Sequence, residues 1–126
     1  MREALKQAKL AKSINEVPIG AVIIKNSKII GSGYNQNISS HSVSAHAEIV
    51  AINEAGSFLK NYRLVDCDMY VTVEPCHMCA KAIIDARIKN LYFATNHKLK
   101  DCVPLSIHHS NRLVPDTLHS ATFLLF

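Results

Sequence analysis

The chain has no run of about 18 consecutive apolar residues, so no helix within it is expected to span a bilayer. It also lacks a recognisable secretory leader. Met1 to Lys12 mixes Arg2, Glu3, Lys6, Lys9 and Lys12 with alanines and leucines, without an apolar stretch or a small-residue cleavage site. The expected compartment is therefore the cytoplasm. Internal repeats, linkers and low-complexity tracts are absent as well. At 126 residues the expectation is one domain over 1–126, large enough for a real core and too small for two. Cysteine is scarce, with four in all. Without a leader, and with Cys76 and Cys79 in a tight C-x-x-C, metal or redox chemistry is a better reading than a disulfide framework. Cys67 and Cys102 have no such context and read as small buried hydrophobes.

Hydrophobic residues make up 48% and charged residues 19%, as in ordinary soluble domains. A formal charge of +4 suits an anionic partner. Lys6, Lys9 and Lys12 recur on one helical face, which reads as a solvated face opposite Leu5 and Leu10.

The patterning predicts an amphipathic helix over 2–13 and strands over 17–25 and 28–34 joined at Asn26-Ser27 as a hairpin. Gly31 and Gly33 inside the second strand signal a bulge or a close backbone approach. A polar loop over 35–44 precedes a helix over 45–59 that Ser44 can cap. A strand over 68–73, a helix over 76–86 opened by Pro75, and a strand over 88–94 follow. Two strands joined through a helix are normally parallel, so the fold class is α/β, in layers. Beyond Asn96 the signals weaken: helical character at 101–109, a strand at 112–114 and an apolar end at 121–126.

Two short motifs carry chemistry, H-A-E at His46 to Glu48 and P-C-H-M-C at Pro75 to Cys79. His46, Cys76 and Cys79 supply one imidazole and two thiolates, three zinc ligands that leave the fourth tetrahedral position open. Structural zinc sites close all four positions, whereas catalytic ones keep a corner for water. Nitrogen and sulfur donors favour Zn2+ over other metals, one per chain. A helix start at Cys76 would lower thiol pKa and favour the thiolates. Glu48 stands close enough in sequence to carry the water's proton, which points to metal-assisted hydrolysis. His46 and Glu48 lie about 200° apart on an ideal helix, so both must act from its first turn. C-x-x-C between a strand and a helix also describes a thioredoxin-like redox site, in which Cys76 and Cys79 would cycle through a disulfide. His77 points away from the site, His41 is solvated, and His108, His109 and His119 take no role.

The segments V-P-I-G-A-V from Val17, G-Y-N from Gly33, A-H-A-E from Ala45, N-Y-R-L from Asn61, and Y-V-T-V-E-P-C-H-M-C from Tyr70 resemble the tRNA adenosine deaminases of the cytidine deaminase superfamily. The resemblance runs from about Met1 to Ala94. It implies a three-layer α-β-α sandwich with a central mixed sheet, cytidine deaminase-like, and conversion of wobble adenosine to inosine in tRNA. It further implies a homodimer and the tRNA anticodon loop as partner, whose bases can splay out singly. Carried over by position, His46, Cys76 and Cys79 bind zinc, Glu48 shuttles protons, Asn35 hydrogen-bonds the flipped nucleoside, and Val17 walls the base pocket. After about residue 95 the chain departs from the pattern. His97 stands where the family has an acidic residue, Lys98 to Asp101 replace its glycines, and its C-terminal helix is expected to be missing, as in a truncated relative. The competing expectations are a zinc deaminase of a free base or nucleotide, such as cytosine or guanine, and a non-catalytic zinc-stabilised relative.

Overall fold

The computed structural model describes residues 1–95. The elements expected at 101–109, 112–114 and 121–126, together with His97, Cys102, His108, His109 and His119, lie outside the described residues. Three helices and four strands follow in the order α1 (Arg2–Ser13), β1 (Gly20–Lys25), β2 (Lys28–Tyr34), α2 (Ala47–Leu59), β3 (Asp68–Val73), α3 (His77–Asp85) and β4 (Asn90–Thr95).

The strands form one mixed sheet in the order β2-β1-β3-β4. β1 runs antiparallel to both β2 and β3, while β3 and β4 are parallel, as the helical crossover between them requires. Asn26 and Ser27 both take left-handed backbone angles, φ 51° and 63°, which matches the twist of a tight hairpin.

The two sheet faces are covered differently. Ala21 and Ile23 of β1 share a buried cluster with Ala47, Ala51 and Ala55 of α2, Ala80 and Ile83 of α3, and Leu91 and Phe93 of β4. Gly20, the next residue along the strand, points the other way, toward α1, where a Cβ would meet Ala4 and Ala8. The expected three layers are therefore present, with α1 on one side and α2 and α3 on the other. Among the fully buried large side chains, Leu64, Met69, Ile83, Ile88 and Leu91 each contribute about 1.5–3 kcal/mol of transfer free energy.

Both helices that meet the β1–β2 hairpin are seated through small residues. α1 buries Ala4, Ala8 and Ala11, while Leu5 (43% exposed) and Leu10 (48%) are left partly in solvent. The leucines are thus not the buried face that the lysine spacing implied, because α1 lies too close to the β1 backbone for anything larger than alanine. Gly31 and Gly33 face α2 at similarly short range, and the register slips between Ile23 and Ile24 opposite Gly31. The close approach and the bulge are both there. β1 starts at Gly20 rather than Val17, since Pro18 has no N–H and the Val17 carbonyl turns back to accept the Ile19 N–H.

Candidate metal centre

The two motifs meet where α2 and α3 begin. His46 is the residue immediately before α2 and Cys76 the one before α3, each with extended backbone angles (φ −77°, ψ 154° and φ −73°, ψ 175°). Cys79 lies in the first turn of α3 and is buried, as is Glu48 in the first turn of α2. The β3–α3–β4 crossover carries Cys76 and Cys79 to the same end of the sheet as His46, although the sequence separations are 30 and 33 residues.

His46 Nδ1 lies 3.5 Å from Cys76 Sγ and 3.4 Å from Cys79 Sγ. The three donor atoms all fall within 4.8 Å of one another. Zn–S and Zn–N bonds at a tetrahedral angle place nitrogen and sulfur about 3.6 Å apart, so the two nitrogen–sulfur separations suit zinc. Glu48 Oε2 lies 3.5 Å from Cys79 Sγ, beside the group rather than within it. Because His46 stands outside the helix, the angle between it and Glu48 on a helical wheel does not apply. Both reach Cys79 from the helix end.

The electrostatics separate the two thiols. The hydrogen bond from Cys79 is the main influence drawing the Cys76 thiol down to about 4; burial opposes it, and the backbone N–H of Cys79 and His46 assist. Cys79 is pushed up, first by that same hydrogen bond to Cys76, then by burial and the Glu48 charge. Burial pushes the Glu48 carboxyl above its usual range, with its own backbone N–H and His46 pulling the other way. Burial thus disfavours the charged form of this carboxyl, a kind of shift that clusters at functional sites.

Ser44 does not cap α2; its hydroxyl lies 3.2 Å from that of Ser42 instead. The cap comes from across the sheet end, where buried Asn35 accepts the Ala47 N–H at Oδ1, 2.8 Å. One oxygen of Asn35 thereby holds the start of the helix that carries Glu48 and follows directly on His46. Val17 is 59% exposed in the segment before β1, His41 and His77 are exposed, and Cys67 is fully buried with its thiol 3.6 Å from the Val65 carbonyl. Sequence reasoning did not single out Glu16, a buried acid (6% exposed) whose carboxylate accepts the Ile38 and Ser39 N–H groups at 3.1 and 2.7 Å. Its position between a helix end and a strand carries no local signal of that role.

The family of the cytidine and deoxycytidylate deaminase zinc-binding region matches residues 1–95. A tRNA-specific adenosine deaminase of Buchnera aphidicola is 52% identical over 98 residues, covering 78% of this chain and 65% of that protein. This chain thus spans just under two thirds of that relative's length. The tRNA-specific adenosine deaminase of Rickettsia bellii is 46% identical over 113 residues, covering 88% of this chain and 78% of the relative. Among solved structures, one from work on A-to-I editing by tRNA:A34 deaminases superposes with a TM-score of 0.76 at 43% identity, over 77% of this chain and 75% of the other. Guanine deaminase from Bacillus subtilis superposes with a TM-score of 0.74 at 34% identity, over 89% and 68%.

Proposed function

We propose a function from one premise: this chain belongs to the cytidine and deoxycytidylate deaminase zinc-binding family. Its reaction is the hydrolytic deamination of adenosine to inosine at the wobble position of tRNA. The observation that carries this reading is the placement of His46 Nδ1 3.4–3.5 Å from two thiol sulfurs, with the buried Glu48 carboxylate 3.5 Å from one of them. His46, Cys76 and Cys79 would hold one zinc ion, which when bound supplies Lewis-acid activation of water.

Glu48 takes a proton from the attacking water and passes it to N1 of the adenine ring as the new C–O bond forms at C6. It then delivers the water's second proton to the exocyclic amine. The C6–N bond breaks, ammonia leaves, and the carbonyl of inosine remains. Burial suits Glu48 to this, because a carboxyl with a raised pKa gives its proton back readily. Asn35, oriented through its Oδ1, is assigned the nucleoside through its remaining amide donor. Exposed Val17 is assigned the rim of the base pocket. The adenosine and tRNA assignment is supported by the names of the relatives at 46–52% identity. A homodimer working in the cytoplasm completes the reading; among the described residues no helix is long and apolar enough to cross a membrane.

A second reading, deamination of a free purine such as guanine, is supported by the likeness to guanine deaminase at 34% identity. Zinc-quantified protein incubated with an adenosine-wobble anticodon stem-loop, and separately with guanine, tests the two. Inosine from wild type but not from Glu48→Ala is the expected result. Xanthine without inosine would replace the tRNA reading by the second one, and neither product at one zinc per chain would overturn both.

A further inference from the structure

Loop 36–45 joins Asn35, which caps α2, to His46, a member of the donor group. The loop is closed on itself. The Gln36 N–H reaches the Ala45 carbonyl at 2.9 Å, and Asn37 Nδ2 bridges the Ser42 and Val43 carbonyls at 3.0 Å each. Such a loop is packed largely by its own groups. Among the described residues, the backbone N–H groups of 37–43 that donate beyond the loop are those of Ile38 and Ser39, both to Glu16, across 22 and 23 residues.

Glu16 itself is 6% exposed, and the ion pairs among the described residues, Lys6–Glu3 and Lys81–Asp85, do not include it. A buried carboxylate without a cation is costly unless N–H donors satisfy it. Here those donors are the Ile38 and Ser39 amides, which therefore fix where the loop lies. Glu16 also precedes Val17. The segments 16–19 and 35–39 run side by side, held at one end by the Asn35 N–H on the Ile19 carbonyl (3.2 Å) and at the other by Glu16. Val17 at 59% and Ile38 at 68% stand exposed on these two segments, and Val43 of the loop is exposed at 88%.

We propose that Glu16 is a positioning residue for substrate, a clamp whose carboxylate holds loop 36–45 against the segment before β1 and so shapes the entrance to the site. The inference rests on the deaminase reading above. Glu16 touches neither the reacting atoms nor the donor group, so its loss should act on binding rather than on the chemical step.

The test uses the zinc-loaded full chain as wild type, Glu16→Gln and Glu16→Ala, with zinc content and Tm confirming that each is folded. Glu16→Gln keeps the shape and one acceptor, and carries the test by itself if the alanine variant does not fold. Site-resolved amide exchange at Ile38 and Ser39 should quicken about 10-fold or more in Glu16→Ala, with a smaller change in Glu16→Gln. KM for the stem-loop should rise about 10-fold while kcat stays within about 3-fold, the glutamine variant lying between. Unchanged exchange in folded variants overturns the clamp. Faster exchange with unchanged KM, or a loss confined to kcat, overturns the positioning role. Wild type that protects these amides yet makes no inosine refutes the deaminase reading, and the exchange rates of the variants then still decide the clamp.

Discussion

Replacing Gly33 by alanine places a methyl group where α2 crosses β2. An ideal Cβ there would lie 2.7 Å from the Ala51 backbone nitrogen and 2.9 Å from the Val50 Cβ, with the Ala47 carbonyl oxygen nearer still. Ordinary contact begins at 3.4 Å, and backbone atoms cannot rotate away, so relief at the nearest of them, the Ala47 oxygen, needs α2 to retreat by about 1 Å. The helix is closely packed along its length, and overpacking of this kind costs about 1–3 kcal/mol. For a domain of this size that is a Tm loss of roughly 4–20 °C. Function should suffer more than stability, because the displaced turn holds Glu48 and follows His46; misplacement of catalytic groups near 1 Å costs about 100-fold in rate. Gly56→Ala on the same helix is the control. Its nearest neighbour is the Asn61 carbonyl at 3.3 Å, and the gain in helix propensity of up to about 1 kcal/mol should leave Tm unchanged or raised. Thermal denaturation, zinc stoichiometry and kcat/KM on the anticodon stem-loop, measured on both variants, decide the matter. A Gly33→Ala protein with wild-type Tm and activity would refute the seating of α2 described above.

Three further outcomes are expected. Glu48→Gln should retain zinc and the fold yet lose about 100- to 10,000-fold in kcat, and zinc analysis beside the rate separates this from metal loss. Chelation, or Cys79→Ser, should abolish activity and lower Tm, with zinc restoring both in the chelated wild type but not in the variant. Glu16 also gives stability a pH dependence. Burial raises its carboxyl pKa, but the Ser39 and Ile38 N–H groups and the Ser39 hydroxyl pull it further the other way, so the net shift is downward. A depressed folded-state value contributes stability that is full above the unfolded value and disappears as pH falls through the folded one. Denaturant midpoints measured across the acid range should therefore drop more for wild type than for Glu16→Gln, and parallel curves would contradict it.

Much of this architecture follows from local signals. The Asn26-Ser27 turn between two β-rich runs is enough for the hairpin, and the helix between β3 and β4 is enough for their parallel pairing. The ends of elements were less legible where a distant residue decides them. Ser44 is the obvious cap by local rules, yet α2 begins at Ala47, beyond its reach, because the Asn35 side chain, from just after β2, holds the Ala47 N–H. Spacing on α1 pointed to leucine packing, but the closeness of Gly20 leaves room only for alanines. The H-A-E and P-C-H-M-C motifs are readable as metal chemistry residue by residue. That they share one sheet end depends on a crossover no single window contains. Glu16 was invisible for the same reason, since its partners lie 22 and 23 residues away.

The strand order also dictates when the donor group can come into being. β1 and β2 are neighbours in sequence and can zip as a local hairpin, but β3 must cross past loop 36–45 and all of α2 before it pairs with β1. Only then do α3 and its two sulfurs arrive opposite the imidazole. The three donor atoms are therefore brought together by non-local pairing, which is the slow part of folding.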